Sequence, residues 1–333
     1  MKAAVITEFN RPWSIMNVPD PRPGPRQVLI RIRASGMCGT DIHAHHGRMP
    51  IRLPQVAGHE PVGTIVETGA GVTDLRVGDR VGVCWHQKGC GRCVFCQQRR
   101  DIYCAGMQTW MNLGGGNSEL MLAWEAGCAL IPAGISDEDA APVFCAGFTV
   151  MSGLRNAEPR PGDRVAVLGL GGLGHLAIQF ARALGLEVFA LTGTESKKDE
   201  ARSLGAHEVI IASGDLGQAL LKAGGADIIL GTTNSAAHVT QALAGLRPGG
   251  RHVNMGSLDG PVQVDSLLFL GKQLRLIGSK QNHRRDLVEA LELVAAGKVK
   301  PMLEVYPFDQ VNAVRDRLEA GKVRYRAVLR NAS

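Results

Sequence analysis

Two stretches of this 333-residue chain concentrate the residue types that bind metal ions. In "CGRCVFCQQRRDIYC", Cys90, Cys93, Cys96 and Cys104 follow a C-x2-C-x2-C-x7-C spacing. Thiolates on so tight a loop can converge on one tetrahedral ion, and four protein ligands leave no position for a reactant, so the predicted site is a structural zinc. Arg92, Arg99 and Arg100 lie where they would offset the net negative charge of such a centre. The second stretch, "GMCGTDIHAHHG", holds Cys38, His43, His45 and His46. A catalytic zinc needs about three protein ligands and one exchangeable position. This stretch alone leaves open which of its residues contribute.

A third stretch points to an anionic ligand. "DRVAVLGLGGLGHLAIQFARALG" sets Gly169, Gly171 and Gly174 as G-x-G-x-x-G, with Gly172 and Leu173 between them, directly after a strand pattern and before a helix pattern. In that context the first glycine permits the turn, the second lets a pyrophosphate approach, and the helix N-terminus faces the anion. The next strand ends in "EVFALTGTESKK". An NAD site usually carries an acidic residue at that end for the ribose hydroxyls; here the place falls on Thr192. Thr192, Thr194 and Lys197 or Lys198 can donate to a 2'-phosphate, so NADP is expected to be preferred over NAD.

The elements that must position these groups divide the chain in two. The first third of the chain reads as short strands, "AAVITEF", "QVLIRIRAS", "GTIVETG" and "DRVGVCW", separated by Pro/Gly turns, which predicts a small barrel-like domain. Residues 136–156 begin with an N-cap serine and acidic residues and read as one apolar helix despite an early proline. From Asp163 strands and helices alternate, which implies βαβ units on a parallel sheet. The tail holds two amphipathic helices and a last strand, "RAVLRN", expected to rejoin the first domain. The expected division is 1–146 with 282–333, and 147–281.

Composition sets the outer bounds. With 45% hydrophobic residues the chain is long enough for two cores. The net charge of +6 is scattered, with no Lys/Arg run longer than two, which argues against nucleic acid as a partner. No apolar window reaches about 18 residues, and the N-terminus lacks the apolar core of a signal peptide, so a soluble cytoplasmic protein with no membrane partner is expected. Eight cysteines in a reducing compartment favour metal thiolates over disulfides.

The cysteine spacing, together with "CGTDIH" at 38–43 and "GHE" at 58–60, resembles the zinc-dependent medium-chain alcohol dehydrogenases along essentially the whole chain and in the same order. The resemblance implies an α/β protein with a GroES-like β-barrel catalytic domain and a Rossmann doubly wound parallel sheet, holding two zinc ions. It also implies the Cys2His ligand set known for that family's catalytic zinc, carried here by Cys38, His59 and Cys145. Glu60 is implied as a neighbour or alternate ligand, and Asp41 as the acceptor of a hydrogen bond from His59 that fixes its tautomer. The implied reaction is reversible hydride transfer between a primary or secondary alcohol and NAD(P), through a zinc-bound alkoxide in a cleft between the domains. Its proton passes from Thr40 through the nicotinamide ribose to His43.

By the same resemblance Arg326 would meet the pyrophosphate, Trp85 would wall the substrate pocket and Trp110 would line its mouth. The strand end around Thr192 looks like the NADP-using cinnamyl-alcohol dehydrogenase branch. Tyr325 and the segment "SKQNHRR" depart from the family pattern. His45 and His46 match no functional position and are expected as loop or rim residues, and Cys84 and Cys128 as inert buried thiols. A homo-oligomer, a tetramer rather than a dimer, is expected. The alternatives are a polyol or amino-alcohol dehydrogenase of the same family, a non-catalytic nucleotide-binding protein, and a zinc-stabilised nucleic-acid-binding protein. The last has no use for the remote trio Cys38, His59 and Cys145.

Overall fold

A computed structural model describes residues 1–193, 195–211 and 214–331. The chain forms two compact units, residues 1–145 with 302–333 and residues 146–301.

In the first unit the strand Gln27–Met37 is the centre of a mixed sheet. It pairs antiparallel with Glu60–Thr68, with Leu120–Trp124 and with the terminal strand Arg326–Arg330. Inward residues Val28, Ile30 and Ile32 alternate with outward ones such as Arg31, the period of two expected where one face is buried. The C-terminal segment completes a core: Phe308, Val311, Val314, Ala327 and Leu329 pack with Ala4, Ile6, Trp13, Met37 and Ala44. Ala44 lies on the short helix Gly39–His45, so this core anchors the helix that carries Thr40, Asp41 and His43.

In the second unit six parallel strands run in the spatial order Glu208–Ile211, Glu187–Thr192, Arg164–Leu168, Ala226–Gly231, Leu246–Asn254 and Arg275–Gly278. Numbered within the unit this is 3-2-1-4-5-6, the doubly wound order whose ligands bind beyond the strands' carboxyl ends.

Two expectations change. Residues 282–301, expected in the first domain, pack in the second unit. Ser152 Oγ donates to Asp286 Oδ2 at 2.9 Å, the Asn282 amide donates to Ser152, and Gln179 exchanges hydrogen bonds with the backbone of Lys300. The single helix expected over 136–156 is broken into Asp137–Ala140, a 3-10 helix Ala141–Phe144, and Ala146–Asn156. Pro142 has no N–H to continue an α-helical ladder. The break leaves Cys145 between helices at φ −122°, ψ −73°. No described helix is long and apolar enough to cross a membrane.

Candidate metal and dinucleotide sites

Cys38 closes the central strand's turn into the helix Gly39–His45 and is that helix's N-cap, its sulfur accepting from the Thr40 amide at 3.4 Å. Asp41, three residues on, returns one carboxylate oxygen to the Cys38 amide at 2.9 Å and presents the other to His59 Nδ1 at 3.2 Å. One buried carboxylate therefore fixes both the cysteine's backbone and the imidazole. With Nδ1–H donated to Asp41, the lone pair of His59 is on Nε2, 3.3 Å from Cys38 Sγ. Cys145 Sγ lies 3.9 Å from Cys38 Sγ. Donor atoms of Cys38, His59, Glu60 and Cys145 all fall within 4.8 Å of one another.

Glu60 is fully buried, with Oε1 3.7 Å from His59 Nε2. Its other partner is Arg326, which is 2% exposed and ion-paired to Oε1. Burial raises the Glu60 carboxyl to about 7 even against the Arg326 and His59 charges. Oε2 is buried without a hydrogen-bond partner, and it fits against Gly36, where any side chain would collide with it. The Cys38 thiol is held well below its ordinary range, first by the Cys145 sulfur and then, against burial, by His59 and Arg326. Burial alone would lower His59, but Asp41 and Cys38 outweigh it and raise it. Two sulfurs and one oriented imidazole, packed beside an orphaned carboxylate oxygen, fit a zinc ion with one position left for an exchangeable ligand.

The cysteine lobe brings Cys90, Cys93, Cys96 and Cys104 together, and among the described residues no cysteine is in a disulfide. Cys93 and Cys96 sulfurs are 3.5 Å apart, and amide N–H groups of Cys90 and Cys93 donate to the sulfurs of Cys104 and Cys90. The amide of Arg92 and that of Cys93 lower the Cys90 thiol to about 6. Four convergent sulfurs with amide support fit a closed zinc site. Arg100 lies over the rings of Tyr103 and Phe95.

In the second unit, Gly169 to Gly174 join the strand Arg164–Leu168 to the helix Gly174–Ala183. A Cβ at Gly171 would meet nothing within 4 Å, the open approach a pyrophosphate needs there. Lys197 Nζ donates to the carbonyl of Leu170 at 2.8 Å, which brings this lysine to the glycine turn, while Lys198 pairs with Glu195 at the surface. Thr192 ends its strand and is largely buried. Thr194 lies outside the described residues.

Trp110 and His45 are placed otherwise than expected. Arg326, expected at the pyrophosphate, also pairs with Glu60, a partner 266 positions away in the sequence that no local pattern reveals. Trp110 is 1% exposed and packs in the core with Trp85 and His59 rather than lining a mouth. Trp85 is partly exposed, and its ring meets His59 edge-on at 5.7 Å. His45 is buried on its helix, not in a loop or rim. Cys84 and Cys128 are buried and belong to neither sulfur cluster.

Residues 24–133 match the family described as the alcohol dehydrogenase GroES-like domain, and residues 172–296 the one described as zinc-binding dehydrogenase. An alcohol dehydrogenase of Geobacillus stearothermophilus is 38% identical over 335 residues, covering 99% of both chains. One from a Moraxella species is 39% identical over 336 residues with the same coverage. Among solved structures, the alcohol dehydrogenase of the hyperthermophilic archaeon Aeropyrum pernix is similar with a TM-score of 0.90 at 31% identity, over 99% of this chain and all of that one. The ligand geometry, the two folds and full-length likeness agree: the chain belongs to the zinc-dependent medium-chain alcohol dehydrogenases.

Proposed function

We propose that this alcohol dehydrogenase interconverts a primary or secondary alcohol and its aldehyde or ketone with NADP(H) in preference to NAD(H). The convergence of Cys38, His59 and Cys145, with Asp41 behind His59, carries the reading. A zinc ion held by those three would supply the Lewis acid that makes the alcohol proton removable. Asp41 keeps His59 in the tautomer that offers Nε2. Thr40 and His43 stand three residues apart on one helix and so share a face. Thr40 takes the proton of the alcohol and His43 moves it toward solvent. Trp85 supplies an apolar wall beside the donor set, and Gly169, Gly171 and Gly174 seat the dinucleotide. Alcohol-dependent formation of reduced dinucleotide, abolished by chelation and restored by zinc, tests the reading.

The relay has its own test. Without His43 the proton must leave by hydroxide, which is scarce near neutral pH. His43→Ala is expected to slow alcohol oxidation by about tenfold near pH 7, with the deficit shrinking as pH rises and both zinc ions retained. A deficit of equal size at every pH would remove His43 from the relay.

The cofactor preference rests on Thr192 in place of an acidic residue and on Lys197 at the glycine turn. A carboxylate facing a 2'-phosphate costs several kcal/mol, so Thr192→Asp is expected to move the NADPH to NADH ratio of kcat/KM by at least about tenfold toward NADH. Higher efficiency with NADH in the unaltered enzyme would overturn this part of the proposal.

A homo-oligomer, a tetramer, is part of the same reading. The strand Arg275–Gly278 is the edge of its sheet, Leu276 is exposed on it, and Leu267 and Leu270 stand out from the neighbouring helix. An apolar edge of this kind favours self-association. Eight unbridged cysteines support a cytoplasmic setting.

A further inference from the structure

The helix that begins at Cys38 ends on two histidines that the reaction does not use. His45, its last residue, is 6% exposed, and its Nδ1 is buried with no hydrogen-bond partner among the described residues. A buried polar atom left unpaired costs about 1–3 kcal/mol and calls for a reason. His46 follows at once, its ring centroid 4.9 Å from that of His45. Its Nε2 is 2.6 Å from Glu319 Oε1, and its Nδ1 is 2.5 Å from Asn10 Oδ1. Glu319 closes the helix Val311–Glu319 at the far end of the sequence. A ring nitrogen from each histidine and a carboxylate oxygen of Glu319 lie within 4.8 Å of one another.

We propose that His45, His46 and Glu319 form a third metal site, open and exchangeable, for a divalent transition ion of the zinc type. Two imidazoles and one carboxylate suit Zn2+, Co2+ or Ni2+ and not Mg2+ or Ca2+, which prefer all-oxygen shells. Three protein ligands, one buried and two toward the surface, leave the remaining positions to water. Burial, and after it the charges of Arg315 and His46, lower the His45 pKa against the opposing pull of Glu319 and Asp316. The positive Arg315 beside the site makes it weaker than the two thiolate sites. The ion would tie the C-terminal end of the Gly39–His45 helix to the end of the Val311–Glu319 helix. Occupancy therefore stabilises the first unit by binding the folded form alone. None of this depends on the substrate or the cofactor.

The test uses the gel-filtered enzyme carrying its two tightly held zinc ions, titrated with Zn2+ by calorimetry, with thermal unfolding followed in parallel. One further saturable equivalent is expected, together with a higher unfolding temperature. Glu319→Gln alters a partly exposed side chain and is expected to weaken that equivalent by at least about tenfold. It should leave the two tight ions and the turnover without added metal unchanged, and His46→Gln is expected to do the same. The proposal is overturned if no third equivalent binds, if both variants bind it as the unaltered enzyme does, or if Mg2+ competes for it as well as Ni2+.

Discussion

Cys145→Ser is expected to cut alcohol turnover by about three orders of magnitude while leaving the protein folded. A Lewis acid at the alcohol oxygen is worth several kcal/mol of transition-state stabilisation, and each 1.36 kcal/mol is about tenfold in rate. Serine keeps the size of the side chain at the helix break but replaces a soft thiolate with a hydroxyl that stays protonated. Cys38 and His59 alone would then be too few ligands to keep the ion. The sulfur cluster at Cys90, Cys93, Cys96 and Cys104 is untouched, so the circular dichroism and the unfolding midpoint should stay close to those of the unaltered enzyme. Retention of more than about a tenth of kcat would mean that Cys145 is not a ligand the reaction requires.

Arg326→Met is expected to cost stability rather than chemistry alone. Arg326 and Glu60 are both buried, and their ion pair joins the terminal strand to the strand that follows His59. Removing one member of a buried pair leaves the other buried without its partner and typically costs about 3–5 kcal/mol, whereas replacing both by neutral groups is often close to neutral. The double variant Arg326→Met with Glu60→Gln should therefore recover more than half of the loss. Chemical denaturation of the single and double variants measures both values. A single variant within about 0.5 kcal/mol of the unaltered protein would show that the pair carries no such weight.

What could be read in the sequence was whatever leaves a local pattern. The spacing of Cys90, Cys93, Cys96 and Cys104 prescribes a closed sulfur site because one short loop supplies every ligand. The alternation after Asp163 prescribes the parallel sheet because strand and helix periods differ. Cys38, His59 and Cys145 carry no mutual spacing, and only the family resemblance linked them before the fold brought their donor atoms together. Contacts made by long side chains across the chain left no trace at all. Arg326 reaches Glu60 over 266 residues, and His46 reaches Glu319 over 273. The change from α- to 3-10 helix after Ala140 follows from Pro142 in a run whose composition otherwise favours helix, a conflict between two local rules. Trp110 went astray for a related reason, since an aromatic residue beside a pocket and one behind it look alike until burial is known.

The proposed enzyme divides its metal donors into one closed and one open zinc site. Zinc per chain after gel filtration, measured beside turnover for the unaltered enzyme, Cys145→Ser and Cys96→Ser, tests that division. Two tightly held ions are expected in the unaltered enzyme and one in each variant. The Cys145 variant should be stable and inactive, and the Cys96 variant less stable but active while it remains folded. A single zinc in the fully active enzyme, or two in an inactive Cys145→Ser, would contradict the assignment.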